Sequence, residues 1–138
     1  MFSHVMVGSN DIDASKKFYD AIFTATGGRE GRVDPKGRIV YVNNGGIFLV
    51  TPPIDGQPAT HGNGTTIGFA VDGPEQAQAW EQAGVAAGGT AIEDPPGVRP
   101  DAQRREHPFG GGLLKQASLL RYASDDSKQG GKIRCSAM

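Results

Sequence analysis

Side chains able to titrate, ligate or attack are few in this chain and widely separated. There are three histidines, His4, His61 and His107, and one cysteine, Cys135. An imidazole changes charge near neutrality, so a histidine serves as a general base or as a metal ligand. His4 heads an apolar run, His-Val-Met-Val, which places it on an ordered element. His61 and His107 lie among glycine and proline and read as solvated surface residues. A lone cysteine makes neither an intramolecular disulfide nor a thiolate cluster. Cys135, between Arg134 and Ser136, reads as a buried inert thiol on the helix-facing side of its strand. Glu93 and Asp94 end a strand and face solvent, Tyr41 and Tyr122 read as core or rim aromatics, and Trp80 reads as a packing anchor. Arg104-Arg105 is too small a basic cluster for nucleic acid. No Ser-His-Asp pattern, P-loop or dinucleotide fingerprint is present.

The elements that must hold these residues follow from periodicity and punctuation. Ser3 to Gly8 is a strand; Asn10, Asp11 and Asp13 are N-cap candidates for a helix to about Ala25. Its apolar stripe is Ala14, Phe18, Ala21, Ile22 and Ala25. A weak strand near Arg29 to Val33 precedes Arg38 to Asn43, which pairs with Ile47 to Thr51 through Asn44-Gly45. The grammar then repeats. Thr65 to Val71 is a strand, Asp72-Gly73 caps a helix with Pro74 in its first turn, and strands follow at Thr90 to Glu93, Leu113 to Tyr122 and Lys132 to Ala137. Strand, helix and three strands thus recur at an offset of about 62 residues. The proline- and glycine-rich stretch 94–112 reads as a surface loop over a binding site. Glycine, with 21 residues, clusters at the turns.

With 138 residues the chain fits one domain of α+β class, module one spanning about 1–52 and module two about 64–138. A net charge of −1 gives no field for nucleic acid, and no apolar run reaches the ~20 residues of a membrane span. A cytoplasmic location is the expectation. Val5 and Val7 match Ile67, Phe69 and Val71 on one strand face; His4, Met6 and Gly8 match Thr66, Gly68 and Ala70 on the other. The bulky set packs beneath the helices, and the smaller set leaves an underfilled concavity suited to a ligand.

His4-Val5-Met6-Val7, Asn10-Asp11 and Lys17-Phe18-Tyr19 resemble the opening signature of the vicinal-oxygen-chelate superfamily, which includes glyoxalases, bleomycin-resistance proteins and extradiol dioxygenases. Val50-Thr51-Pro52-Pro53, Gly56-Gln57-Pro58-Ala59 and Gly62-Asn63-Gly64 resemble one bacterial branch of it. The resemblance implies paired βαβββ modules forming a curved mixed sheet, a cup with helices on its outer face, and a homodimer. It also implies four metal ligands in the cup. His4 fits the first of these positions, whereas Phe48, Thr66 and Arg134 stand at the other three. Divalent metals want several imidazole or carboxylate ligands, and an arginine opposes a cation. The resemblance therefore allows a divalent metal while these residues imply no cofactor. Three readings stay open. The first is a metal-free protein binding a small, partly apolar, acidic molecule with His4, Met6, Phe48, Val50, Thr66, Gly68 and Arg134. The others are a divalent-metal lyase or dioxygenase, and a metal-free enzyme with His4 as general base.

Overall fold

The chain starts β1 (Val5–Gly8), α1 (Ile12–Ala25), β2 (Arg32–Val33), β3 (Ile39–Asn43), β4 (Gly46–Thr51), and repeats this order as β5 (Ile67–Phe69), α2 (Pro74–Ala86), β6 (Gly89–Ala91), β7 (Ala117–Tyr122), β8 (Ile133–Ala137). The computed structural model describes residues 2–43, 45–60 and 67–91, together with the backbone of 117–122 and 133–137. Each module makes a four-stranded mixed sheet with the same order, β1-β4-β3-β2 and β5-β8-β7-β6. In each, the first strand runs parallel to the last and the other pairs are antiparallel. The repeat expected from sequence is the repeat of the fold.

Asp11 caps α1: its carboxylate accepts from the Ala14 N–H at 2.9 Å, meeting one of the donors that a helix start leaves open. Asn10 does not cap. Its amide makes a reciprocal pair with the Ala59 backbone, at 3.1 and 2.6 Å, and so ties the segment after β4 to the start of α1. The β3–β4 hairpin turns at Gly45, whose φ of 77° is the left-handed region that glycine enters without a Cβ penalty. α2 begins at Pro74, behind Gly73, as a proline in the first turn allows.

The buried face of α1 is broader than the expected stripe. Phe18 and Ile22 belong to it, but Ser15, Tyr19 and Phe23 add a second row at i, i+4, i+8. Two rows are needed because α1 packs against α2 as well as against β4. α2 answers with Ala77, Trp80 and Gly84, two small residues flanking one large one, which lets the helices approach closely. The core cluster then runs through both modules: Phe18, Tyr19, Ile22 and Phe23 from α1, Ile39, Tyr41, Phe48 and Val50 from the first sheet, Ala77 and Trp80 from α2. Phe69 of β5 sits edge-on to both Phe23 and Phe48, with centroids 5.1 and 5.3 Å apart. Gln76 of α2 donates to the Thr26 carbonyl at the end of α1, 3.0 Å away.

Candidate functional site

The parallel register of β1 and β4 sets the two faces of the first sheet. Val5 is paired with Phe48, Met6 with Leu49, Val7 with Val50 and Gly8 with Thr51. Paired residues share a face, and successive residues alternate. One face therefore carries Val5, Val7, Phe48 and Val50 with Ile39 and Tyr41, and it is the face filled by the helices. The other carries Met6, Ile47, Leu49 and Thr51 with Val40 and Val42. Phe48 and Val50, expected in the cup, are corrected by this register: they are 6% and 0% exposed and belong to the core. A one-residue slip in β4 moves every side chain to the opposite face. The cup-side residues that sequence reasoning missed are Ile47, Leu49 and Thr51. All but the last are as apolar as Phe48 and Val50, so alternation carried almost no signal there. The usable signal lay in the hairpin, because closing it with Asn43 opposite Gly46 pairs Tyr41 with Phe48 and fixes the phase.

Met6 is placed on the cup face as expected, and Gly68 is its match in the second module: Ile67 is paired with Cys135 and Gly68 with Ser136. The repeat thus aligns Val5 with Ile67 and Phe48 with Cys135, which makes Ile47, and not Phe48, the counterpart of Arg134. Arg134 itself stands opposite Arg121 in the β7–β8 ladder. Thr66, His61, His107, Glu93, Asp94 and Arg104-Arg105 lie outside the described residues. Tyr41 and Trp80 are buried in the core, in agreement with their reading as packing aromatics.

His4 precedes β1 and is exposed; its Nδ1 lies 2.9 Å from the Ser3 hydroxyl. Two carboxylates of the first module, Asp20 and Asp34, are engaged elsewhere. Asp20 accepts from Lys16 Nζ, from the Tyr41 hydroxyl and from the Gly31 N–H, the last two at 2.9 Å. Burial and the adjoining Asp20 carboxylate hold the Tyr41 phenol protonated well above its ordinary range. Asp34 is held below the usual carboxylate range, first by the Arg38 guanidinium hydrogen bond at 2.6 Å and then by the Arg38 backbone N–H.

A divalent metal needs a set of hard or borderline donors converging on one point. Among the described residues no three of His, Cys, Asp and Glu come together. The cup positions of β4 are Ile47, Leu49 and Thr51, so the corrected register restores no carboxylate beside His4. These residues do not fit a metal centre. Among the described residues no helix is long and apolar enough to cross a membrane.

A cleft of about 250 Å³ opens between the modules, with Ile47 and Gly68 at its border with the cup face. Its walls are Phe23, Tyr41, Phe48, Phe69 and Trp80, with Asn43 and Gly46 toward the end of the β3–β4 hairpin.

Two βαβββ modules of identical strand order, each with a mixed sheet and one helix, define the vicinal-oxygen-chelate fold. Solved structures share it at low identity. One is the fosfomycin resistance protein FosX from Listeria monocytogenes complexed with Mn(II) and sulfate ion, 11% identical over 99% of this chain and 87% of that one, TM-score 0.58. Another is a glyoxalase/bleomycin resistance protein/dioxygenase family enzyme from Burkholderia phytofirmans PsJN, 17% identical over 98% and 96%, TM-score 0.58. A glyoxalase/bleomycin resistance protein from Albidiferax ferrireducens T118 is 43% identical over 100% of this chain and 98% of its own, TM-score 0.75. The chain belongs to the glyoxalase/bleomycin resistance protein family. No family model and no curated protein matches it.

Proposed function

We propose that the protein binds a small, partly apolar molecule bearing an acidic group on the cup face of its sheets, without a metal, and that it works as a cytoplasmic homodimer. The observation that carries the reading is the state of the first sheet's cup face. Met6 is 42%, Ile47 40% and Val42 66% exposed, all on the side opposite the helices. Leu49 beside them is buried, at 7% exposed, and exposed apolar side chains grouped on one face mark a surface that is used. His4 borders it, and Gly68 keeps the matching position of the second module free of bulk. Support for an acidic group comes from Arg134 and Arg121, opposite each other in the β7–β8 register. Like charges in a cross-strand pair are unfavourable, and an anion relieves them. Among the described residues the cup offers one histidine and no carboxylate, which supports the metal-free form over a lyase or dioxygenase of the same fold.

The test is calorimetric titration of aromatic and aliphatic carboxylates, each beside its neutral amide, into protein purified without added metal. Met6→Lys should abolish binding of both. Arg134→Ala should cost the carboxylate about 2 kcal/mol more than the amide, since a charge-assisted bond in a dry site is lost. Equal loss for both removes the acidic group. Stoichiometric metal in the same sample, lost in His4→Ala, overturns the metal-free reading. A homodimer gives twice the chain mass by light scattering at micromolar concentration, and a monomer mass defeats that part.

A further inference from the structure

We propose a second ligand site, the cleft between the modules, which takes a flat one- or two-ring aromatic molecule with an amide-like polar edge. Its aromatic walls belong to the helix-facing side of the first sheet; Ile47 and Gly68 line it as well, whereas Met6 of the cup does not. Size comes first. An apolar cavity of about 150 Å³ accepts benzene, so about 250 Å³ suits a substituted ring or a fused pair. Shape and chemistry come from the walls. Phe23, Tyr41, Phe48, Phe69 and Trp80 surround the space from both modules, and rings of this kind prefer a flat guest in offset or edge-on contact. Such walls give little to a chain-like aliphatic molecule beyond burial.

The polar edge is read from the hairpin end of the cleft. Asn43 is half-buried, and its carboxamide makes no hydrogen bond among the described residues. A carboxamide offers one acceptor and two donors, which complement a ligand presenting an N–H beside a C=O. Trp80 lines the same cleft; the residue is fully buried, and its indole N–H finds no acceptor among the described residues.

The site provides its own reporter, because Trp80 is the one tryptophan of the chain. Titration with 2-quinolone, followed by Trp80 emission and by calorimetry, should give a saturable change of one molecule per chain. Gly46→Val is the blocking variant. Gly46 shares a face with Phe48, and a Cβ there meets only the Asn43 carbonyl, 3.4 Å away, so a strand-favouring side chain enters the cleft without breaking the fold. It should remove both signals while circular dichroism and the melting profile stay as in the parent. Asn43→Ala should weaken 2-quinolone about tenfold, one hydrogen bond's worth, and leave naphthalene unchanged. Met6→Lys, which disables the cup, should not alter 2-quinolone binding. Absence of any response at millimolar 2-quinolone overturns the proposal. Binding that survives Gly46→Val but disappears in Met6→Lys overturns it too, and assigns the ligand to the cup.

Discussion

Tyr41 shows how a residue that resembles a proton donor is fixed as a structural one. Its ring lies in the aromatic core, 4.7 Å from Phe23, and its hydroxyl donates to Asp20 at 2.9 Å. Asp20 also receives the Gly31 N–H, so one carboxylate joins α1, the segment before β2, and β3. Burial first and Asp20 second raise the phenol's pKa in the folded protein. The unfolded chain ionises this tyrosine near its ordinary value, about 10. Stability from the protonated phenol is thus fully present below about pH 10 and is lost as pH rises above it. Tyr41→Phe should cost about 1 kcal/mol at neutral pH, the net worth of a hydrogen bond with its acceptor left part-buried. It should also flatten the fall in denaturation midpoint between pH 9 and 11. A mutant whose midpoint falls as steeply as the parent's would assign the alkaline loss to other groups. Sequence alone read Tyr41 as a core or rim aromatic because it lies on a strand, and the fold puts it in the core. The Asp20 link was not legible, because 21 residues separate the partners and no local pattern announces it.

At the scale of elements, the reading succeeded where signals were redundant and failed where they were uniform. α1 was found with its end at Ala25 because a polar cap, an apolar period and a Gly27-Gly28 stop agree. β4 was found, but its phase was not: Gly46–Thr51 holds four apolar residues in succession, and only pairing decides which face is wet. Phe48 and Val50 went to the wrong face for that reason. The start of α1 offers a test of how local chemistry holds a site-bearing strand. Asp11 caps the helix, and Asn10 clasps Ala59 in two hydrogen bonds. Gly8, at the end of β1, lies under the clasped segment, where an added Cβ comes 3.0 Å from that of Ala59. Asp11→Ala should destabilise by about 1 kcal/mol. Asn10→Ala should cost less in denaturation but raise hydrogen exchange selectively at Ala59. If Ala59 protection is unchanged in Asn10→Ala, the clasp has no role in ordering that segment.

For the whole molecule, the repeat that sequence displayed as two modules is joined by a core belonging to neither. α1 packs on α2, Phe69 lies against Phe23 and Phe48, and Trp80 joins the cluster that contains Tyr19 and Val50. Sharing of this kind is invisible to periodicity, which shows that a face is apolar and not which module it meets. Phe18 is the residue that tests it. It is fully buried in α1, and its ring is 2.7 Å from where a Cβ on Gly89 would stand, so module one reaches β6 of module two at a point kept clear by glycine. Phe18→Ala removes a core ring and should destabilise by about 3 to 5 kcal/mol, a large share of the ~5 to 15 kcal/mol that a domain possesses. If the chain is one domain, that loss is felt everywhere at once. The urea midpoint followed by emission of Trp80, which belongs to α2, should fall by the same amount as the midpoint followed by far-ultraviolet circular dichroism, with the slope unchanged. Two midpoints that separate, with Trp80 unfolding as in the parent while part of the dichroism is lost early, would show the modules to be independent units that only touch.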